Sequence, residues 1–493
     1  LVYFSLFYFA FFLPSGLDSP NATKRRNMKK FLIIILLLIS ISSPQSVRTQ
    51  EPDWNRAGDE AISVLSDYLR IDTINPPGNE ARAAQFFARL LRREGIEAQV
   101  FESSPGRANL FARLKGNGRK RALILLNHTD VVPADRRFWT VDPMSGAVKD
   151  GYLYGRGALD MKSLGAAQLM TLILLKRAGV ALDRDVIFLA TADEEAGGSE
   201  GAGWFVRNHP ELIRDAEFLL TEGSNNFIVD NRVIYYGIGA TEKTPCWLRL
   251  TAKGTPGHGS VPQRDSAPSR MIRALAKLEA FQSELKVTPA VARFFRELAA
   301  LQPDAESRRA YADVNAALRD PRLANLILSS PQNSALLRNT IQPTVVQIGS
   351  KTNVIDPIAT AEIDCRLLPG EKPADFVAEI KRVIDDPSIQ VETILAFGAT
   401  ESPIDTELHR VITETIKAED SSARFVHGVL AGFTDSHFFR EKGIVCYGFS
   451  PFMIPSADFA GVHGNDERIP TGAYRDGIKM LYNVTRRLCA SQP

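Results

Sequence analysis

The strongest constraint on the fold is a pattern that occurs three times: a short, continuous apolar run that ends at once in a polar cluster. Ala122 to Leu126 runs into Asn127-His128-Thr129-Asp130, Asp185 to Ala190 into Asp193-Glu194-Glu195, and Glu217 to Leu220 into Thr221-Glu222-Gly223. Runs this short, apolar on both sides of the backbone, predict strands buried on two faces. The long apolar stretch Met161 to Ala178, closed by Gly179, predicts a helix between the first two. Strands of this kind alternating with helices predict an α/β domain with a mainly parallel sheet. In such open sheets ligands bind beyond the carboxyl ends of the strands, so the three polar clusters are expected on one rim.

The rest of the chain divides by its patterning. At 493 residues it is too long for one ordinary core. Asp59 to Arg70 and Glu80 to Glu94 predict amphipathic helices on either side of the break Asn75-Pro76-Pro77-Gly78. From about Pro245 the pattern becomes α+β. Trp247 to Ala252, Val345 to Ile348 and Ala359 to Leu367 alternate as half-buried strands, Pro268 to Leu285 and Ala374 to Ile384 read as helices, and 287–338 is helical and charged. Buried strand Ile444 to Phe449 and helix Thr471 to Leu488 then resume the first pattern. The expected organisation is a leader over 1–50, a catalytic domain over 51–240 and 400–493, and an inserted lid over 241–399.

Met28-Lys29-Lys30 followed by apolar Phe31 to Ile41 and small polar residues is a signal-peptide pattern, too short for a comfortable membrane span. A secreted or periplasmic protein is expected, membrane-attached only if the leader stays uncleaved. Residues 1–27 begin with Leu1 and contain a second apolar run, and Met28 is expected to be the true start. Among the four cysteines there is no CxxC pair, which argues against a cysteine metal site, and Cys365 reads as a buried thiol. A formal charge of +2 with no long basic block gives no reason to expect a nucleic-acid partner.

The strand-end residues suit divalent metal, because imidazole and carboxylate donors are all present and no thiolate is needed. His128 and Asp130 share one side of an extended segment, so Asp130 is placed to orient the His128 ring. Taken alone, a His-x-Asp is as readily a surface turn. Gly155-Arg156-Gly157-Ala158-Leu159-Asp160 lacks the last glycine of a dinucleotide loop. Its glycines instead present Asp160 inward, where a carboxylate can bridge two metals; a plain helix cap is the alternative. Of the adjacent acids Glu194 and Glu195, one can ligate and the other can serve as base to water, although such a pair also occurs in solvated loops. His463, flanked by Gly461 and Gly464, is the candidate for the last ligand. His258 has the same flanking but lies in the inserted segment.

The motifs NHTDVVP, GRGALDMK, TADEEAGG, LLTEGS, GTPGHGS, NTIQPTVVQIGSKTNVIDPIATAEIDCRLLPG and GVHGNDE, in that order, resemble the zinc metallopeptidases related to aminoacylase, carboxypeptidase G, acetylornithine deacetylase and succinyl-diaminopimelate desuccinylase. The resemblance covers residues 55 to 490 and is strongest to the carboxypeptidase S-like branch, which shares a long helical insertion. It implies a zinc-exopeptidase domain with an inserted lid or dimerisation domain and two divalent ions, Zn2+ with Co2+ or Mn2+ as substitutes. His128 and Glu222 would hold one ion, Glu195 and His463 the other, and Asp160 would bridge them. The resemblance makes Glu194 the general base and His258 an oxyanion donor, often across a dimer interface. Asn339 and Arg366 would hold a substrate carboxylate. It implies hydrolysis of an amide in a small peptide or an N-acyl amino acid. Deacylation of an N-acetylated metabolite and a non-catalytic binding protein are the alternatives. The second predicts a lost ligand or base, and none is lost. A serine hydrolase is disfavoured because the best-placed histidines stand among acids and not beside an exposed serine.

Overall fold

The structure, a computed structural model, describes residues 50–491 apart from 231, 399 and 400. The leader predicted from Met28 lies outside the described residues. Among those described, no helix is long and apolar enough to cross a membrane.

The predicted strands form the middle of one large sheet. Ala122–His128 pairs in parallel with Val186–Thr191 on one side and Ala216–Thr221 on the other, and the latter pairs in parallel with Val445–Gly448. Side chains of a strand point alternately to opposite faces. Accordingly Leu123, Leu125, Val186 and Phe188 enter one core, while Ile124, Leu126, Ile187 and Leu189 enter another. That double burial is why the runs are apolar without alternation. Helix Lys162–Arg177 is buried along nearly its whole length, under Trp54–Leu69 and Thr471–Cys489. Helices Ala202–Asn208 and Ser436–Arg440 cover the other face.

Five further strands, which the apolar runs did not mark, make the sheet mixed; one is the short Phe227–Val229, antiparallel to Arg232–Glu242. Ala98–Ser104 and Arg107–Leu114 add antiparallel strands beyond Val186–Thr191. At the far side Arg232–Glu242 touches Val445–Gly448 in antiparallel register, and Phe425–Leu430 pairs with it in parallel as the last strand.

A second sheet is antiparallel throughout, in the order Thr340–Ile348, Ile358–Leu367, Thr244–Lys253, Ile389–Ala396. Helices Ala267–Ala280 and Pro373–Ile384 close its core. The charged stretch 287–338 divides into short helices because cap residues recur. Thr288, Asp304, Asp313, Asp320 and Ser330 each accept a backbone N–H, and Pro289, Pro321 and Pro331 open the helices after three of them. These helices have their own core, which takes in Val429 of the large sheet's last strand. They therefore pack on the edge of the large sheet, separately from the core of the small one. Cys246, Cys365, Cys446 and Cys489 are all buried and unbridged.

Candidate metal centre

His128 ends its strand with both ring nitrogens engaged. Nδ1 lies 3.0 Å from the Asp130 carbonyl, which can only accept, so Nδ1 donates. Nε2 then faces Asp160 Oδ1 at 3.1 Å and Glu222 Oε1 at 3.4 Å. On the other side of Asp160, its Oδ2 is 3.3 Å from His463 Nε2, which is also 3.3 Å from Glu195 Oε2. Asp160 therefore stands between two histidines, each with a second carboxylate. The ligand atoms of His128, Asp160 and Glu195 lie within 4.8 Å of one another, as do those of His128, Glu194 and Glu222.

Three supports hold this arrangement. The turn carrying Asp160 is tied to the loop carrying His463 by Glu467, a fully buried acid. Its carboxylate accepts from the backbone N–H groups of Gly157, Leu159 and Asp160 at 2.9, 2.6 and 3.0 Å and pairs with Arg156 at 2.8 Å. Arg156 in turn donates to the Gly464 carbonyl at 2.6 Å. Gly157 is required here: its φ is +93°, and a Cβ would meet Val131 at 2.9 Å. Asp130 lies beneath the acid pair. Its carboxylate accepts from the amides of Glu194 and Glu195 at 3.1 and 3.2 Å and from Asn75 at 2.8 Å. His128 is oriented mainly by the Asp130 carbonyl, since the carboxylate is 3.5 Å from Nδ1; the side chain chiefly fixes the acid loop. Arg107 completes the third support, with ion pairs to Asp193 at 2.7 Å and to Glu80 at 2.8 Å. Arg107 had no sequence signal of its own, and Asn75 read only as part of a chain break; Glu467 stood inside the GVHGNDE motif but was given no role.

The electrostatics show why a cation belongs here. Burial pushes Glu195 up to about 7 even though His463 bonds to it. Burial and neighbouring carboxylates likewise raise Glu194 and Glu222. Burial opposes ionisation of Asp160, but bonds from His128 and His463 outweigh it and hold this carboxyl well below its usual range. His463 rises to about 10 through its bonds to Asp160 and Glu195. Burial disfavours charge on His128, yet Glu222, Asp130 and Asp160 overcome it and raise the ring well above its ordinary value. Asp435, which the sequence did not single out, is a further buried acid, pushed up to about 8 by burial and held by the Thr191 hydroxyl at 2.9 Å. Crowded acids in a dry site need protons or metal. Glu195 Oε1, buried with no hydrogen-bond partner among the described residues, is an open donor atom for the latter. The residues fit a pair of divalent ions.

The cluster lines a cleft of about 670 Å³, whose other walls are largely apolar and include Leu159, Phe433, Phe449 and Phe459. Arg366 lines it too. Two bonds to Asp364 at 2.7 and 3.0 Å fix the guanidinium, which stacks over Trp247 and Phe433 at 5.5 and 5.1 Å. Two predicted residues are not brought to the cleft. Asn339 is buried, and its carboxamide oxygen accepts from the Leu368 amide at 2.9 Å. His258 is exposed on a two-residue ribbon with Val354–Ile355, its Nδ1 2.7 Å from Ser260 Oγ.

Residues 124–487 match the model of Peptidase family M20/M25/M40. The chain is 29% identical over 479 residues to an N-fatty-acyl-amino acid synthase/hydrolase, PM20D1, of Xenopus tropicalis, covering 91% of this chain and 90% of the relative. It is 26% identical over 436 residues to aminoacylase-1B of Rattus norvegicus, covering 87% and 95%. Its fold is similar to that of an M20 family metallo-carboxypeptidase from Sulfolobus solfataricus, with a TM-score of 0.68, 18% identity, and 87% of this chain and 99% of that one covered. The chain belongs to Peptidase family M20/M25/M40, metal-dependent hydrolases that act on amide bonds.

Proposed function

We propose that this enzyme hydrolyses N-acyl amino acids whose acyl group is apolar, and that its two resident ions are Zn2+. The observation that supports the substrate class is the pairing within one cleft of an acid-rich metal cluster with largely apolar walls and a single fixed guanidinium. Imidazole nitrogen and carboxylate oxygen without thiolate suit zinc. The names of the relatives support the same reading.

His128 and Glu222 would hold one ion, Glu195 and His463 the other, and Asp160 both. Bound there, the ions supply Lewis acidity to the amide carbonyl and lower the pKa of water. Glu194, at the mouth of the acid loop and raised by burial, takes a proton from water at its carboxylate and returns it to the leaving nitrogen. Arg366 keeps the donors not used by Asp364 for the carboxylate of the amino acid; a fork of this kind matches a carboxylate in shape and charge. The aromatic walls exclude water from the acyl side. Within the inserted segment the small sheet acts as the lid that brings Arg366 over the site, and the leader pattern at Met28 supports export of this activity.

Zinc-loaded protein assayed against N-acyl amino acids and dipeptides tests this. Release of amino acid from dodecanoyl-amino acids with kcat/KM about tenfold or more above that for dipeptides is expected, the size of preference one extra apolar contact gives. Cleavage of dipeptides with no release from any N-acyl amino acid would reverse the assignment.

A further inference from the structure

The cleft does not stop at the metal cluster. Glu222 follows strand Ala216–Thr221, and three strands lie beyond it in the sheet: Val445–Gly448, Arg232–Glu242 and Phe425–Leu430. Residues on or next to each of them line the same cleft, namely Phe449, Gly237 and Gly428. Three strand spacings amount to about 14 Å. The cavity lining thus extends sideways over the sheet beyond Glu222 and takes in Phe294 of helix Pro289–Ala299.

Gly428, like Gly398 and Gly472, is a glycine that its surroundings do not demand, and of the three it alone lines the cleft. A Cβ built on it meets nothing within 4 Å, and its backbone is not in the left-handed region. The residue is therefore required neither by a turn nor by close packing; its missing side chain leaves space in the cleft. The helix that carries Phe294 is held against this strand. Glu297, one turn after Phe294, accepts from both the backbone N–H and the ring Nδ1 of His427 at 2.7 Å, and Val429 enters the core of the short helices. The helix is pinned to the strand on both sides of Gly428.

We infer that the space between Gly428 and Phe294 receives the far end of a long acyl chain, and that these two residues set the chain length the enzyme prefers. The inference rests on the N-acyl amino acid reading above. An apolar chain lying along this arm would be taken out of water methylene by methylene, so each added carbon favours binding until Phe294 stops it. A short acyl group would leave the arm unused.

The test compares kcat/KM for acetyl-, octanoyl-, dodecanoyl- and oleoyl-amino acids on the zinc-loaded full chain. Gly428→Phe should lower the ratio of dodecanoyl to acetyl turnover about tenfold or more, because a ring would occupy the arm. Phe294→Ala should move the optimum towards oleoyl. Circular dichroism and zinc content identify any variant that has lost its fold. A dodecanoyl-to-acetyl ratio unchanged in folded Gly428→Phe overturns the inference. Wild-type protein that hydrolyses none of the series, acetyl included, overturns the substrate reading beneath it instead.

Discussion

Asp160 is the residue on which the site turns. One of its carboxylate oxygens faces His128 and the other faces His463, and it keeps its charge while the acids around it are pushed towards neutrality. Glu194 differs from its neighbour Glu195 in kind. Glu195 points at His463, whereas Glu194 lies within ligand distance of His128 and Glu222 and is buried without a cationic partner of its own. A carboxylate so placed serves proton transfer. Glu194→Gln should lower kcat by about 10²–10⁴ while zinc content, read by plasma mass spectrometry, stays at the wild-type level. Loss of zinc with loss of activity would make Glu194 a ligand. These candidate ligands were legible in the sequence because each stands close after an apolar strand or beside glycines. Two of their supports were not: Asn75 and Arg107 reach Asp130 and Asp193 from 55 and 86 residues away along the chain, while Glu467, in the same motif as His463, gave no sign that it would bind the turn of Asp160, 307 residues away.

At the scale of elements, the docking of the short helices on the last strand depends on polar as well as apolar contacts. His427 is bonded through Nδ1 to Glu297 and through Nε2 to His409 Nε2 at 2.7 Å. Two facing ring nitrogens need one proton between them, and a second proton would break the bond. Burial, then the charge of His427, lowers His409 to about 4 from an ordinary 6.5. Between those values the unfolded chain binds more protons than the folded one. This contribution is therefore complete above pH 6.5 and is lost as pH falls through about 4. Urea midpoints measured from pH 7 to pH 4 should fall less steeply for His409→Gln than for wild type. Parallel curves would show that the pair does not bear on stability. The sequence showed that 287–338 is helical, because caps and prolines are local signals. It did not show which sheet the helices pack on, since that depends on Val429 and His427 more than a hundred residues away. The unmarked strands were missed for a related reason. Ala98–Ser104 is half exposed at an edge, and Arg232–Glu242 contains two glycines, so neither forms a short apolar run.

For the molecule as a whole, the parallel strands deliver His128, Glu194, Glu195 and Glu222 to one rim, while the chain's return after residue 400 delivers His463 to the same place. The small antiparallel sheet adds Arg366, and the edge helices add Phe294. Charge is thus concentrated in one part of a cleft whose other walls are largely apolar, the arrangement on which the proposed N-acyl amino acid substrate rests. Crystals of the zinc-loaded enzyme, measured on both sides of the zinc absorption edge, would locate the ions without recourse to activity. Two anomalous peaks about 3.5–4 Å apart are expected, with Asp160 between them, His128 and Glu222 on one side and Glu195 and His463 on the other. A single peak, or peaks that leave Asp160 uncoordinated, would contradict the two-ion centre.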